Sequence, residues 1–321
     1  MEILEKSLRP IHRSTIISLI GFVAVVLLVP AARADDGPRR EQSACVKEDK
    51  SGTQENSDEC QHSQKHSRKR NLFRRWLDFG DKVQATQPDW LSPLATTSGR
   101  LKQEFRYDIW DQPVNVGNRS YQFGGNKGLE FITSSRTQIL VGVPTYTLVS
   151  PSGPPGGFGD LPLMLKFRIV SAERAEGNYL VTFILAATAP TGSHRYGAGE
   201  AVLTPTMAFG KGWGKCDVQS TVGVNLPAGD TARLGRQVLW NTAFQYRAPR
   251  KLWPELEANS TFYTTGKYAG EKQLFLTPGV GFGRAHLAGR FRWSSAVGLE
   301  IAATEFHTYN HRLMFSTRLS F

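Results

Sequence analysis

Histidine and serine are the residues of this chain whose spacing could support hydrolysis. His194 directly follows Ser193, and His307 and His311 flank a short polar stretch. A histidine beside a hydroxyl nucleophile is the minimum of a hydrolase site, so a lipase-type enzyme is one alternative. The chain has no Gly-x-Ser-x-Gly nucleophile elbow. We therefore expect these histidines to be solvated loop residues, and we predict no catalytic residue.

The cysteines and the remaining histidines could bind a metal or form a disulfide. Zinc sites typically contain a Cys-x-x-Cys pair. Cys45, Cys60 and Cys216 do not have this spacing. His62 and His66 stand four residues apart in a polar stretch, with nothing to orient them. We predict no metal and no cofactor. In an exported chain, Cys45 and Cys60 could pair in a small disulfide loop.

The first residues of the chain predict export. A basic start precedes an apolar run over residues 15–30, and Ala32-Arg33-Ala34 supplies the small residues that a signal peptidase reads. This is the pattern of a secretory signal peptide over residues 1–34. The alternative is an uncleaved anchor helix, because the apolar run is just long enough to span a bilayer. Export also argues against nucleic acid as a partner, despite a net charge of +11.

Residues 35–98 predict a disordered periplasmic extension. Residues 35–70 carry mixed charges and almost no large apolar side chain, so they cannot bury enough surface to offset the entropy of ordering. The basic run over residues 65–75 leads into Trp76, which predicts a short amphipathic helix near residues 71–82. This helix could contact a membrane face or a partner, and a solvated linker is the alternative.

From residue 99 to the end, short segments alternate in polarity and are separated by Gly, Pro, Asn and Asp. Alternation with a period of two residues is typical of strands. We predict about twelve strands. They lie near residues 102–111, 127–133, 138–148, 159–170, 178–189, 199–209, 215–226, 235–248, 254–264, 272–283, 287–303 and 309–321.

The last segment shows most clearly how the two faces of a strand differ. Leu313, Phe315 and Leu319 share one face, whereas Arg312 and Arg318 share the other. In a soluble β-protein the apolar face would turn into a core. In a barrel that spans the outer membrane, the apolar face meets lipid and the polar face lines the lumen.

Charge in the middle of the polar faces, together with the final Phe321 and the aromatic residues near the strand ends, decides between these two folds. Such charges are tolerated in a wet lumen and are costly in a dry core. They favour a transmembrane antiparallel β-barrel of about 12 strands over a soluble exported β-protein. The lumen-lining candidates are Lys166, Arg168, Gln237, Asn241, Gln245, Glu255, Glu257, Arg290, Arg292, Glu300, Arg312 and Arg318.

The connections between the segments alternate in length, as they do in outer-membrane barrels. An even number of strands puts both termini in the periplasm, and an aromatic last residue, Phe321, resembles the signal that the outer-membrane assembly machinery recognises. Compact turns are expected at Ser134-Ser135 and at residues 210–215 and 283–286. Longer loops are expected at residues 111–126, 150–159, 190–199 and 227–234.

Three short motifs resemble one known family. They are Gly157-Phe158-Gly159-Asp160-Leu161 running into Leu165-Lys166-Phe167-Arg168, then Ala189-Pro190-Thr191-Gly192, then Gly212-Trp213. In this order and spacing they resemble the outer-membrane proteins of the MetA-pathway of phenol degradation, over about residues 101–321. The resemblance implies a barrel that moves small, in some cases aromatic, molecules. It implies no substrate and no catalytic residue.

We therefore expect an outer-membrane barrel of a Gram-negative bacterium that acts as a passive channel or transporter for small aromatic or anionic solutes. Arg290, Arg292, Arg312 and Arg318 would form a basic lumen wall that favours anions. The expected partners are outer-membrane lipid, the assembly machinery and the solute. The alternative from another class is a structural or adhesive barrel whose lumen is plugged.

Overall fold

The computed structural model describes residues 72–115, 117–125, 127–193 and 195–321. These residues belong to one compact unit that spans residues 56–321. The expectations for the signal peptide, for Cys45 and Cys60, for His62 and His66 and for His194 lie outside the described residues.

Fifteen strands form a single antiparallel sheet. Their bounds are β1 Glu104–Asn115, β2 Asn118–Gly124, β3 Gly128–Ile132, β4 Thr137–Gly142, β5 Tyr146–Ser150, β6 Gly157–Phe158, β7 Leu161–Ala172, β8 Tyr179–Ala189, β9 Val202–Trp213, β10 Cys216–Pro227, β11 Gln237–Tyr246, β12 Leu252–Tyr263, β13 Lys272–Ala288, β14 Phe291–Ala302 and β15 His311–Ser320.

The sheet closes on itself because β1 pairs with β15 from Glu104↔Ser320 to Asp111↔Leu313. Three pairs of strands, β2 with β3, β4 with β5 and β6 with β7, each follow one another along the barrel wall with a short break between them. Each pair therefore counts as one strand of the wall, and the result is a closed 12-stranded antiparallel barrel. The predicted fold class is confirmed.

The faces of the strands point as the alternation predicts. In β15, Phe315 is 41% exposed on the outer surface, whereas Arg318 is 1% exposed in the interior. Apolar side chains cover the outside of the other strands in the same way; examples are Leu165, Phe167, Trp240, Phe244, Leu256, Val297, Leu299 and Leu313. This inversion of a soluble protein, with apolar outside and polar inside, is the arrangement of a barrel in lipid.

Short turns lie at one end of the barrel and longer loops at the other. At the end where β1 begins and β15 ends, here called the turn end, residues 133–136, 173–178, 214–215, 247–251 and 289–290 join the strands. At the opposite end, here called the loop end, the connections include residues 151–156, 190–201, 228–236, 264–271 and 303–310. The short helices within these connections are Arg174–Glu176, Thr231–Leu234 and Pro249–Lys251.

Two expected connections are wrong. Residues 111–126, expected as a loop, continue β1 and form a hairpin with β2. Residues 283–286, expected as a turn, lie inside β13, and the turn comes at Gly289. Gly289 adopts a φ of 54°, which suits a tight turn, whereas Gly283 leaves room for the ring of Trp253.

A helix, α1, spans residues 72–85 and agrees with the helix expected near residues 71–82. Its buried side chains Leu77 and Val83 face the turn end of the barrel, where Trp76 Nε1 donates to the carbonyl of Ile132 (3.0 Å). No helix in the described ranges is long and apolar enough to cross a membrane.

Depth-dependent effects of charge can test the outward orientation of β15. Arginine at Phe315, halfway along the strand, is expected to destabilise the barrel in lipid vesicles by about 2–4 kcal/mol, because it would stand at the middle of the bilayer. The control is Leu287→Arg near the end of β13, where the same change should cost about 0–1 kcal/mol. Urea unfolding measures both, and equal costs at the two positions would contradict the orientation.

Candidate functional site in the barrel lumen

Residues 87–103, here called the lumen segment, connect α1 to β1 through the interior of the barrel. Their side chains are almost all buried, among them Leu91, Leu94, Thr96 and Leu101. Their partners come from strands all round the wall, including β1, β8, β10, β12 and β15. The segment expected to extend into the periplasm up to residue 98 instead fills the lumen over residues 87–98.

The tip of the lumen segment is held by one carboxylate. Glu257 on β12 is fully buried, and it accepts three backbone N–H groups: Leu94 N (2.7 Å), Ala95 N (2.8 Å) and Thr96 N (2.6 Å). Successive N–H groups that converge on one anion form a nest, which is a strong anion site of the backbone. A buried carboxylate needs such partners, because an ion buried without a partner destabilises the folded state by on the order of several kcal/mol.

Two guanidinium groups hold the carbonyls on the other side of the tip. Arg106 on β1 donates to the carbonyls of Pro93 (3.1 Å) and Leu94 (2.5 Å), and Arg318 on β15 donates to those of Ser92 (2.6 Å) and Pro93 (3.0 Å). The carbonyls have no partner within the segment, because an extended chain forms no internal ladder. Wall side chains therefore replace the hydrogen bonds that a strand or helix would supply.

The rest of the segment is bound in the same way. Gln219 Nε2 donates to the carbonyl of Leu91 (2.9 Å) and Thr182 Oγ1 to that of Gly99 (2.8 Å). Gln138 Oε1 accepts from Lys102 N (2.5 Å). Sequence reasoning did not assign Thr182, Gln138 or Gln219 to the site.

Glycines in the wall make room for the apolar side chains of the segment. A Cβ on Gly210 would lie 2.4 Å from the ring of Trp90, one on Gly281 would lie 2.2 Å from Leu91, and one on Gly298 would lie 2.6 Å from Leu94. No real Cβ approaches another atom so closely. The wall is therefore shaped to this segment, rather than merely tolerant of it.

The structure places most of the lumen-lining candidates inside. Lys166, Arg168, Gln245, Glu255, Glu257, Glu300 and Arg318 are buried, and Gln237, Asn241 and Arg312 are half-buried. Arg290 lies in the turn after β13, outside the strands, and its guanidinium pairs with Asp78 and Asp81 of α1. Arg292 is exposed at the turn end.

The interior is mixed in charge, not basic. The charged residues buried in the described part of the chain are six basic ones (Arg100, Lys102, Arg106, Lys166, Arg168 and Arg318) and seven acidic ones (Glu104, Asp108, Glu130, Asp217, Glu255, Glu257 and Glu300). Many are paired: Lys166 with Glu130 (3.2 Å), Arg106 with Asp108 (2.8 Å) and Arg312 with Glu300 (2.5 Å). The basic wall that the sequence predicted is therefore not a free cationic surface, because Arg290, Arg312 and Arg318 are engaged.

Aromatic rings surround the interior near the loop end. The guanidinium of Arg312 lies 4.2 Å from the ring centre of Trp110 and 4.8 Å from that of Tyr309. Tyr309 stacks on Phe275 (4.4 Å) and donates to Glu300 (2.6 Å). This arrangement combines cation–π contacts with the ion pair between Arg312 and Glu300.

The residues that could support catalysis are not assembled for it in the described part of the chain. His307 Nδ1 bonds to the carbonyl of Thr304 (2.9 Å) and Nε2 to Asn310 Oδ1 (2.7 Å). The Thr304 carbonyl, together with Asn310, raises the pKa of His307. Cys216 is free and exposed, and no group of His, Cys, Asp and Glu within the described ranges could hold a metal ion.

A double-mutant cycle can test the fit between wall and segment. Gly210→Ala is expected to destabilise the barrel by about 1–3 kcal/mol, because the added methyl meets the rigid ring of Trp90. In a Trp90→Ala background the same change should cost almost nothing, since the ring is gone. Unfolding in urea gives the coupling free energy, and an unchanged cost in both backgrounds would contradict the contact.

Comparison with known proteins gives the fold. No known protein family matches the chain, and no curated protein sequence matches it significantly. Among solved structures it is similar to the COG4313 outer membrane channel from Pseudomonas putida F1, with 14% identity, a TM-score of 0.50, and coverage of 72% of this chain and 100% of that one.

Two further solved structures are similar at lower TM-scores. They are the NanC porin (6% identity, TM-score 0.45, 67% of this chain and 98% of that one) and the translocator domain of the autotransporter NalP from Neisseria meningitidis (10%, 0.41, 81% and 97%). At identities of 6% and 10%, the sequences do not show that these proteins are related to the chain. The chain thus shares its fold, a closed barrel of twelve antiparallel strands, with the COG4313 outer membrane channel.

Proposed function

We propose that the protein is an outer-membrane channel for small solutes that the lumen segment closes. One observation carries the proposal: the closure is made by hydrogen bonds between wall side chains and the backbone of residues 87–103, in an interior lined by polar groups. Such bonds can be exchanged for bonds to water, at a net cost of about 0.5–1.5 kcal/mol for each neutral bond. A wall that remains polar without the segment would hold a water-filled passage.

The outer membrane is the proposed location. The apolar outer surface requires lipid, and the pairing of β1 with β15 closes the sheet, as a sheet that spans a membrane needs. In this orientation the turn end, with α1, lies in the periplasm and the loop end faces outward. The predicted signal peptide and the resemblance to the MetA-pathway proteins agree with this location.

We propose small aromatic or uncharged solutes rather than anions. Arg290 and Arg312 are held in ion pairs, and Arg318 is bonded to the lumen segment. Arg292 is exposed at the turn end, away from the interior, so the four residues give no basis for the expected anion preference. The cluster of Phe275, Tyr309 and Trp110 supports aromatic solutes, because it makes the interior aromatic near the loop end.

The lumen segment also favours a second candidate function. A barrel that is permanently filled would act through its loops or its stability, as the structural alternative supposes. We propose no catalytic role, and the lipase-type alternative requires His194 or His307 beside a serine of the wall.

Removing the charge that holds the tip should open the channel. Glu257→Gln leaves three N–H groups sharing one neutral oxygen, and a loss of about 2 kcal/mol in the closed state would raise the ratio of open to closed channels about thirtyfold. The matched control is Glu255→Gln, because this neighbour on the same face bonds to Gln245 and not to the lumen segment. Single-channel recording in planar bilayers measures the open probability of all three proteins.

The same recordings separate the two candidate functions. The channel proposal expects brief, rare openings of the wild-type protein, long openings of Glu257→Gln and wild-type behaviour of Glu255→Gln. Two folded variants that are both as silent as the wild type would instead support the permanently filled barrel.

Solute size and chemistry can be tested with the opened variant. Liposomes containing Glu257→Gln should swell faster in small aromatic and neutral solutes than in anions of the same mass, because the interior is balanced in charge and aromatic at its loop end. Swelling that is fastest in the anions would contradict the proposed solute class and restore the expected one.

A further inference from the structure

A cavity of about 540 Å³ opens at the turn end of the barrel, beside the lumen segment. It lies between α1, the lumen segment and the turn that joins β13 to β14. The charged groups around it are Asp81, Asp89, Arg100, Arg284, Arg290 and Arg292. A smaller pocket shares Arg100 and Arg284 with it and leads inward to Lys102 and Arg318.

The acidic groups at this cavity are already engaged. Asp81 and Asp78 pair with the guanidinium of Arg290, and Asp89 pairs with that of Arg284. No ion pair within 4.0 Å involves Arg100 or Arg292 among the described residues. The cavity is therefore lined by two guanidinium groups that form no ion pair in the described part of the chain. Glu104 and Asp217 lie near enough to Arg100 to attract its charge, whereas Arg292 lies close enough to Arg284 for their charges to repel.

Arg100 places one of these two guanidinium groups in the interior of the barrel rather than on its surface. It is 4% exposed, and one of its nitrogens donates to the carbonyl of Trp90. Its Nε has no acceptor among the described residues, and the Nε of Arg290 is in the same condition. Buried donors nearly always have an acceptor in folded proteins. These two belong to residues that line one cavity, so they are suited to an acceptor that comes from outside the chain.

We propose that this cavity binds a phosphate group, carried either by a small solute or by a lipid headgroup. Phosphate offers several oxygens to more than one guanidinium at once, and the planar fork of arginine matches its geometry. Arg100 and Arg292 supply the charge, and the Nε groups of Arg100 and Arg290 supply the donors that have no acceptor. Arg284 lines the same cavity and is paired with Asp89. The site does not depend on conduction through the barrel.

Inorganic phosphate is the first probe. Isothermal titration of the detergent-solubilised protein should show saturable binding, with an affinity that falls about tenfold in Arg292→Gln. Arg292 is exposed and makes no ion pair, so this variant should fold. The matched control is Arg136→Gln, an exposed arginine in another turn at the same end of the barrel, which should bind phosphate like the wild type.

A second arm distinguishes the two sources of phosphate. The protein is placed in nanodiscs of phosphatidylglycerol or of phosphatidylcholine, and the binding of free phosphate is measured again. If both lipids abolish this binding equally, the headgroup phosphate occupies the site. If both lipids leave the binding intact, the ligand is a soluble phosphate. Absence of saturable binding in detergent, or equal affinities for Arg292→Gln and Arg136→Gln, would overturn the proposal. Neither of these two negative results bears on the conductance of Glu257→Gln, which tests the proposed channel separately.

Discussion

The carboxylate of Glu257 has no access to water, and the fold around it depends on how that charge is satisfied. The wall offers it no cation at hydrogen-bond distance, whereas the tip of the lumen segment offers three N–H groups. The segment in turn needs donors for its carbonyls, and Arg106 and Arg318 supply them. Wall and segment therefore complete each other's hydrogen bonds, and neither would be satisfied in this dry arrangement alone.

This mutual requirement explains the mixed charge of the interior. A barrel designed as a wide aqueous pore can leave its charges to water. Here the charges of β1, β7 and β12 are buried by residues 87–103, so each needs a partner of its own. The pairs between Lys166 and Glu130 and between Arg106 and Asp108 meet that need. The glycines opposite Trp90, Leu91 and Leu94 leave the space that these large side chains require.

The barrel could be predicted from the sequence because its signal repeats along the chain. Each strand alternates independently, so an error such as the misplaced turn at residues 283–286 leaves the strand count and the two faces intact. Phe315 and Arg318 could be assigned to opposite faces from β15 alone. The hairpin of β1 and β2 was missed because Pro113 and several Gly and Asn residues are typical of loops.

The lumen segment could not be predicted in this way, because a segment without regular secondary structure has no periodic pattern. Its composition held a weaker signal. Trp90, Leu91 and Leu94 are large apolar residues in a stretch otherwise taken as an extension, and such residues rarely remain in water. Two of the partners on the wall, Glu257 and Arg318, were predicted as lumen candidates, whereas Arg106, Thr182, Gln138 and Gln219 were not. The bonds of all of them depend on a three-dimensional register that no single strand reveals.

The balance between the two kinds of contact sets how firmly the lumen is closed. Neutral hydrogen bonds to the segment's backbone, such as those from Gln219 and Thr182, exchange with bonds to water at small net cost and add little to the closed state. Bonds to a charged group such as Glu257 contribute more, about 1.5–3 kcal/mol each. The apolar side chains of the segment differ from these polar contacts, because they gain no hydrogen bond from water when they leave the wall. Burying a side chain such as Leu91 or Leu94 contributes about 1.5–3 kcal/mol. The polar contacts thus fix where the segment lies, and the charged contacts together with the apolar side chains opposite the wall glycines determine how firmly it is held there.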